Sequence, residues 1–319
     1  MSGSEWGPRP FRFGVAAGAA MPGAELLSAA RLAEELGYEV FSVSDHLNLP
    51  GSELAPLVTL AAVAAVTERI ELQPLVLAND FRHPALLAKE TATLDLISDG
   101  RCAIGLGAGW LGADFQLPGI PFDTPTVRIA RLRESVQVVR GLHSGEAFTF
   151  GGEHYRIDGM TGSPLPVRNP MPLMIGGAGR YMLSVAARLA DTVSLNLGLP
   201  LSAGRWQTGA APYADVTDDK VGWVREAAGE RFSQLELQAT VFGGAVTDAD
   251  PQEVLAPLAT MLDVEPGQLQ GCPHVLAGTL DECVSSVQAW RERWGISYVT
   301  VPLALAATFA PVVDALRGH

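Results

Sequence analysis

Residues 70–105 read IELQPLVLANDFRHPALLAKETATLDLISDGRCAIG, and this stretch sets the fold class of the chain. The run Ile70–Leu77 is short and mostly apolar, as a buried strand would be. The segment Pro84–Ile97 begins with a residue favoured in the first turn of a helix and continues with apolar residues at helical spacing. A further apolar run, Arg101–Gly105, follows. The stretch therefore predicts a strand–helix–strand unit with parallel strands.

The same alternation continues on both sides of this stretch. Because each such unit turns right-handed, eight of them can close into a barrel. The predicted fold class is therefore α/β, with one (β/α)8 TIM-barrel domain over residues 1–319, and an open doubly wound sheet is the alternative. The predicted strands are Phe11–Val15, Val40–Ser44, Ile70–Leu77, Arg101–Gly105, Leu173–Ile175, Thr192–Leu195, Leu235–Phe242 and Ser297–Val301. The predicted helices are Ala24–Leu36, Leu54–Val66, Pro84–Ile97, Thr126–Leu142, Tyr181–Leu189, Pro251–Leu262, Thr279–Trp294 and Phe309–Leu316.

Two segments interrupt the alternation and predict insertions after strands four and six. Phe148–Ile157 contains two adjacent glycines between apolar flanks, which indicates a hairpin. Gly198–Arg231 carries no motif, so we expect a long excursion that shapes a substrate pocket.

The composition limits the class of partner. A formal net charge of −13 argues against nucleic acid or an anionic membrane as the main partner. The chain has no apolar run of about 20 residues and no hydrophobic signal core at its start, so we expect a cytoplasmic protein.

Neither the cysteines nor the histidines have metal-binding spacing, so no metal site is expected. The cysteines, expected to be buried free thiols, are Cys102, Cys272 and Cys283.

In a parallel barrel the active site forms at the carboxyl ends of the strands. The second strand is followed by Asp45 and His46, a carboxylate beside a group that titrates near neutral pH. Such a pair can bind a cofactor and move a proton, although His46 could instead cap a helix or fill a polar niche. The fourth strand leads into GLGAGW (105–110), which lacks the GxGxxG spacing of dinucleotide-binding turns. Its glycines, Gly107 among them, would clear room for a flat ring.

The fifth strand leads into a glycine-rich turn at the start of a helix. Glycines let backbone N–H groups approach an anion, and a helix N-terminus adds partial positive charge. The arginine of the turn can add a full charge. The turn is therefore a candidate phosphate site, and a tight turn that needs glycine only for its geometry is the alternative. Its residues are Gly176, Gly177, Ala178, Gly179 and Arg180.

Taken in order, these motifs resemble the luciferase-like superfamily. They are SDHL (44–47), LVLANDFRHPALLAKETATLDLISDGR (75–101), GLGAGW (105–110) and GGAGR (176–180). Within the superfamily, the chain is similar to actinobacterial F420-dependent oxidoreductases. The resemblance implies coenzyme F420 as cofactor, with FMN as the alternative, and a homodimer. It also implies that Asp45 contacts the cofactor and that His46 is the candidate acid or base.

The resemblance further implies that the backbone of Leu75, Val76 and Ala78 supports the deazaflavin ring, with a cis peptide bond between Leu75 and Val76. The glycine-rich turn after strand five would bind the phosphate. One residue departs from the pattern, because sugar-phosphate dehydrogenases of the family have a glutamate where this chain has Trp110.

An indole cannot exchange a proton. We therefore expect Trp110 to lie beside the cofactor and the substrate to be small and not strongly polar, unless Trp110 only fills the core. An FMN-dependent monooxygenase and a flavin-binding protein without turnover are the alternative functions.

Overall fold

The computed structural model describes residues 9–197 and 211–319. Its strands are β1 (Arg12–Ala17), β2 (Val40–Val43), β3 (Glu71–Pro74), β4 (Leu77–Ala78), β5 (Ile104–Gly107), β6 (Phe148–Gly151), β7 (Arg156–Met160), β8 (Leu173–Gly177), β9 (Thr192–Leu195), β10 (Glu236–Thr240), β11 (Gly243–Val246), β12 (Val275–Gly278) and β13 (Ile296–Pro302). Its α-helices are α1 (Gly23–Glu35), α2 (Pro56–Ala64), α3 (Pro84–Ile97), α4 (Ala113–Gln116), α5 (Pro125–His143), α6 (Arg180–Leu189), α7 (Ala214–Ala228), α8 (Pro251–Leu262), α9 (Leu280–Trp294) and α10 (Ala306–Leu316).

The chain divides into two compact units, each described by itself. Unit 1 comprises Met1–Val15, Glu35–Glu39 and Gly176–His319, and unit 2 comprises Ala16–Glu34 and Val40–Ile175.

In unit 2 the strands of the predicted βαβ alternation pair in parallel, as expected. β2 pairs with β3, and β5 lies between β4 and the first residues of β8. Every residue of β2 and β5 is buried, which accounts for their continuous apolar character in the sequence. Helix α3 begins at the predicted Pro84, where the side chain of His83 accepts a hydrogen bond from the N–H of Ala85. The hairpin predicted at Phe148–Ile157 is present as the antiparallel pair β6 and β7.

In unit 1 the strand order is β1, β13, β10, β9, and β10 pairs in parallel with both of its neighbours. Helix α9 follows Thr279, which forms the capping box with Glu282 that its sequence pattern indicates. A separate parallel pair, β11 and β12, is joined through α8 and was not predicted. Each predicted strand and helix overlaps an element of the structure, so the predicted alternation is confirmed.

Among the predicted strands, the third and the fourth differ most from the structure in their bounds. The fourth begins at Ile104 rather than Arg101, because the guanidinium of Arg101 donates to backbone carbonyl oxygens, those of Ala64 and Ile70 among them, where the turn joins α2 to β3. The third strand is divided into β3 and β4 at the peptide bond between Leu75 and Val76.

The predicted excursion Gly198–Arg231 is partly wrong. Residues 198–210 lie outside the described part of the chain, but Ala214–Ala228 forms α7. The buried positions of α7 include Thr217 and Lys220, and these polar residues hid the helical period in the sequence. In the described residues, no helix is long and apolar enough to cross a membrane.

Candidate active site

Asp45 follows β2 and is buried, with 6% of its surface exposed. Its Oδ2 atom accepts a hydrogen bond from Arg82 Nη1 at 2.6 Å and another from the N–H of Ala78 at 3.1 Å. Arg82 Nη2 lies 3.4 Å from the other carboxylate oxygen. Asp45 therefore joins the end of β2 to the end of β4, and both of its oxygens have partners within the chain.

Arg82 also approaches a second carboxylate, that of Glu90 on α3. Arg82 Nε lies 3.7 Å from Glu90 Oε2, a buried atom that accepts no hydrogen bond in the described structure. Burial raises the pKa of Glu90 and nearby Asp45 raises it further, while Arg82 opposes both. Arg82 thus binds Asp45 more closely than Glu90.

The backbone between β3 and β4 contains the predicted cis peptide bond, Leu75–Val76. Both side chains are only partly buried, and the N–H of Leu75 donates to the carbonyl oxygen of Val43 at 2.9 Å. The next strand residues, Leu77 and Ala78, pair with β5, and Gly107 is the partner of Ala78.

The sequence led us to expect that the glycines of GLGAGW clear room for a flat ring. Gly105 has a different role. A Cβ atom at this position would lie 1.9 Å from the carbonyl oxygen of Pro74. Glycine is needed here because the carbonyl oxygen of Pro74, at the end of β3, occupies the place of a Cβ atom.

His46 is held by a residue that the sequence did not single out. Its Nδ1 atom lies 2.6 Å from Oδ2 of Asp114, on the short helix α4. The other oxygen, Oδ1, accepts the backbone N–H groups of Leu47 at 3.0 Å and Asn48 at 2.7 Å. The signal that could have identified Asp114 is its place after the fourth strand, at the edge of the sheet where His46 follows the second.

Trp110 does not fill the core, because half of its surface, 50%, is exposed. Its ring meets the ring of His46 edge-on, with centroids 5.9 Å apart and an angle of 81° between the planes. Gly109, which precedes it, has φ of +73°, and a Cβ there would lie 2.4 Å from Phe115 Cζ. Glycine at 109 therefore lets the chain turn over Phe115, the neighbour of Asp114. Asp45, His46, Ala78, Gly107 and Trp110 all lie at strand ends of unit 2.

The glycine-rich turn belongs to unit 1. Gly176 and Gly177 end β8, and Gly179 is the N-cap of α6, with no side-chain cap. Among the residues that the structure describes, no heavy atom lies within 4 Å of a Cβ built on Gly179. Arg180 begins α6 and pairs with Glu226 of α7 at 2.8 Å, although 60% of the arginine side chain is exposed.

Comparison with known proteins identifies the family. A family model described as luciferase-like monooxygenase matches residues 9–262. The F420-dependent glucose-6-phosphate dehydrogenase of Nakamurella multipartita is 38% identical over 237 residues, which cover 72% of this chain and 66% of that protein. The enzyme of the same name from Kineococcus radiotolerans is 30% identical over 324 residues, which cover 98% and 90%. The chain belongs to the luciferase-like monooxygenase family.

Solved structures with the same fold superpose on nearly the whole length of this chain. The coenzyme F420-dependent tetrahydromethanopterin reductase of Methanopyrus kandleri has a TM-score of 0.76 at 19% identity, with 97% of this chain and 99% of that chain covered. An F420-dependent secondary alcohol dehydrogenase has a TM-score of 0.75 at 19% identity, with 97% and 100% covered. The predicted α/β barrel fold class is therefore confirmed.

Proposed function

We propose that this family member is an F420-dependent oxidoreductase that acts on a small organic substrate that is not strongly polar. The observation that carries the proposal is His46, held by Asp114 beside an exposed Trp110 at the strand ends of unit 2. The relatives named as F420-dependent enzymes, at 38% and 30% identity, support F420 over FMN.

Two groups of described residues suit the cofactor, one for the deazaflavin ring and one for its phosphate. Leu75 and Val76 offer apolar surface that is only partly buried, next to Ala78 at the end of β4. Among the described residues, nothing fills the space beside Gly179 at the N-terminus of α6, where backbone N–H groups favour an anion. Arg180 beside it adds a positive charge on a side chain that is 60% exposed.

When bound, F420 would exchange a hydride at C5 of its ring. The protein supplies orientation and a proton. His46 would give or take the proton of the substrate through the ring nitrogen that Asp114 does not contact. Asp45 would act through the backbone, because it fixes Ala78 at the edge where the ring is proposed to lie, and its own oxygens are bound by Arg82.

The substrate class follows from the side chains around His46. Trp110 and Leu47 are large, apolar and about half exposed, at 50% and 54%. Asp114 does not replace the glutamate of the sugar-phosphate enzymes, because both of its oxygens are already bound. We therefore expect no turnover of glucose 6-phosphate, the substrate in the names of the two relatives.

A titration of the purified protein with each cofactor tests the proposal. F420 should bind in the micromolar range and FMN at least about tenfold more weakly, a difference of about 1.4 kcal/mol. Tighter binding of FMN would favour the FMN-dependent monooxygenase. His46→Ala should lower turnover about a hundredfold with cofactor affinity little changed, and full turnover would return His46 to a structural role.

The assembly is a separate proposal. We propose one barrel domain that forms a homodimer, as the family resemblance implies. Light scattering that gives the mass of one chain would contradict the dimer. Two separate unfolding transitions would contradict the single domain.

A further inference from the structure

The two oxygens of the Asp114 carboxylate bind different groups. Oδ2 lies 2.6 Å from Nδ1 of His46, and Oδ1 accepts the N–H groups of Leu47 and Asn48 at 3.0 Å and 2.7 Å. An ionised carboxylate accepts hydrogen bonds and cannot donate them. The contact with His46 therefore requires the proton on Nδ1, both in the neutral and in the charged imidazole.

We infer that Asp114 is a positioning residue that fixes the tautomer of His46 and leaves Nε2 as the atom that exchanges the proton. The tautomer of a histidine is set by the hydrogen bond that its other nitrogen makes. With Nδ1 carrying a proton in both charge states, only Nε2 changes during a proton transfer. The catalytic consequence rests on the proposed function, but the tautomer itself does not.

Burial and aromatic packing around Asp114 hold its carboxylate in place beside His46. Asp114 is 2% exposed, and the following residue, Phe115, packs against Phe81 and Phe122 with ring centroids 5.0 and 4.9 Å apart. On the other side, the loop after His46 is held by the same carboxylate through its two backbone N–H groups. The ring of His46 is therefore oriented by α4 and not by β2 alone.

An amide cannot replace the carboxylate at this position. Asparagine has one acceptor oxygen, and its NH2 group would face either the protonated Nδ1 of His46 or the two backbone N–H donors. If the amide keeps the backbone contacts, its NH2 donates to His46, and the ring must move its proton to Nε2. The two backbone contacts outweigh the single contact with His46, so Asp114→Asn should keep the loop in place and reverse the tautomer.

The experiment is nitrogen NMR of the histidines in the protein without cofactor, with His46 assigned by its loss in His46→Gln and titrated to its neutral form. The wild type should carry the proton on Nδ1. Asp114→Asn should shift the population towards Nε2. A wild-type His46 with its proton on Nε2, or an unchanged tautomer in Asp114→Asn, would overturn the inference, and neither outcome depends on which cofactor binds.

Asp95→Asn is the matched control. Asp95 is also fully buried, and its two oxygens accept the backbone N–H groups of Cys102 at 3.0 Å and Arg168 at 2.8 Å. Asp95→Asn should lower the stability of the fold and leave the tautomer of His46 unchanged.

With F420 and a substrate, kcat of Asp114→Asn should fall about a hundredfold while cofactor affinity stays within about twofold. A fall in kcat with the wild-type tautomer retained would contradict the positioning role.

Discussion

Arg180 Nη2 lies 2.8 Å from Oε2 of Glu226, and the two side chains are 60% and 68% exposed. An exposed pair of this kind contributes about 0–1 kcal/mol, so a phosphate can displace the glutamate without a large penalty. Arg180→Ala should weaken F420 binding by about 1–2 kcal/mol, because a charge-assisted contact is lost while the backbone donors of the turn remain. Calorimetry measures the change.

The glutamate gives the paired test. Glu226→Gln removes the competing partner of Arg180 and a negative charge near the turn, so it should tighten F420 binding up to about fivefold, or about 1 kcal/mol. A deazaflavin that lacks the phosphate should respond to neither variant. Equal losses for both forms of the cofactor in Arg180→Ala would refute the phosphate assignment.

The ion pair of Arg82 with Asp45 should contribute much more to the stability of the fold than the exposed pair of Arg180 with Glu226. Their side chains are 19% and 4% exposed, so Arg82→Met leaves a buried carboxylate without its counter-charge. We expect the free energy of unfolding in urea to fall by about 3–5 kcal/mol. Arg317→Met is the control, because its pair with Asp314 is 54% and 77% exposed and should change stability by about 0–1 kcal/mol. Similar small losses in both variants would disprove the structural role of the buried pair.

Gly105 tests the close approach of β3 and β5. Gly105→Ala would place a Cβ 1.9 Å from the carbonyl oxygen of Pro74, which is backbone and cannot move aside cheaply. We expect a loss of about 3 kcal/mol or more in urea unfolding, or no folded protein. Gly222 is exposed within α7, and no described atom lies within 4 Å of a Cβ added there, so Gly222→Ala should instead stabilise the protein by about 0.5–1 kcal/mol. A neutral Gly105→Ala would show that the strands can separate.

The positions of Asp45 and His46 could be predicted because hydrophobic periodicity locates a strand, and the strand's end locates the site. The bond between Leu75 and Val76 was predicted only through the family resemblance, since nothing in two aliphatic residues favours a cis peptide. Asp114 follows the fourth strand, but its pairing with His46 could not be predicted, because the two residues are 68 positions apart along the chain. Periodicity fixes which side chains are buried, but not which distant pairs meet.

The pairing of Arg180 illustrates a second reason. Its place in a glycine-rich turn predicted a full positive charge at a phosphate site, and in the structure the neighbouring helix α7 supplies Glu226 as the partner of that charge. That helix was missed in the sequence because the buried Lys220 interrupts its apolar period. Lys220 is accommodated because its Nζ donates to the backbone carbonyl oxygen of Asn196 at 2.8 Å, a partner that no local pattern reveals.

His274 should make the stability of the protein depend on pH. The side chain is 1% exposed, its Nδ1 donates to the carbonyl oxygen of Thr240 at 2.9 Å, and its Nε2 has no hydrogen-bond partner in the described structure. Burial and the nearby Lys220 lower the pKa of His274 to about 3. The unfolded chain, with a histidine pKa of about 6.5, therefore binds one proton more than the folded chain as the pH falls below that value.

Stability from this group is present above pH about 6.5 and is lost as the pH falls, at up to about 1.4 kcal/mol per pH unit. Between pH 7.5 and 5, the wild type should lose about 2 kcal/mol through His274. His274→Asn keeps a donor for Thr240 but does not titrate, so its free energy of unfolding should change less with pH by that amount. The lowered pKa of Lys220, about 8, acts only at higher pH, and His143, whose pKa burial also lowers, is present in both proteins. Urea unfolding at the two pH values measures the difference, with His319→Gln as an exposed control. Parallel pH profiles for wild type and His274→Asn would mean that folding does not lower the pKa of His274.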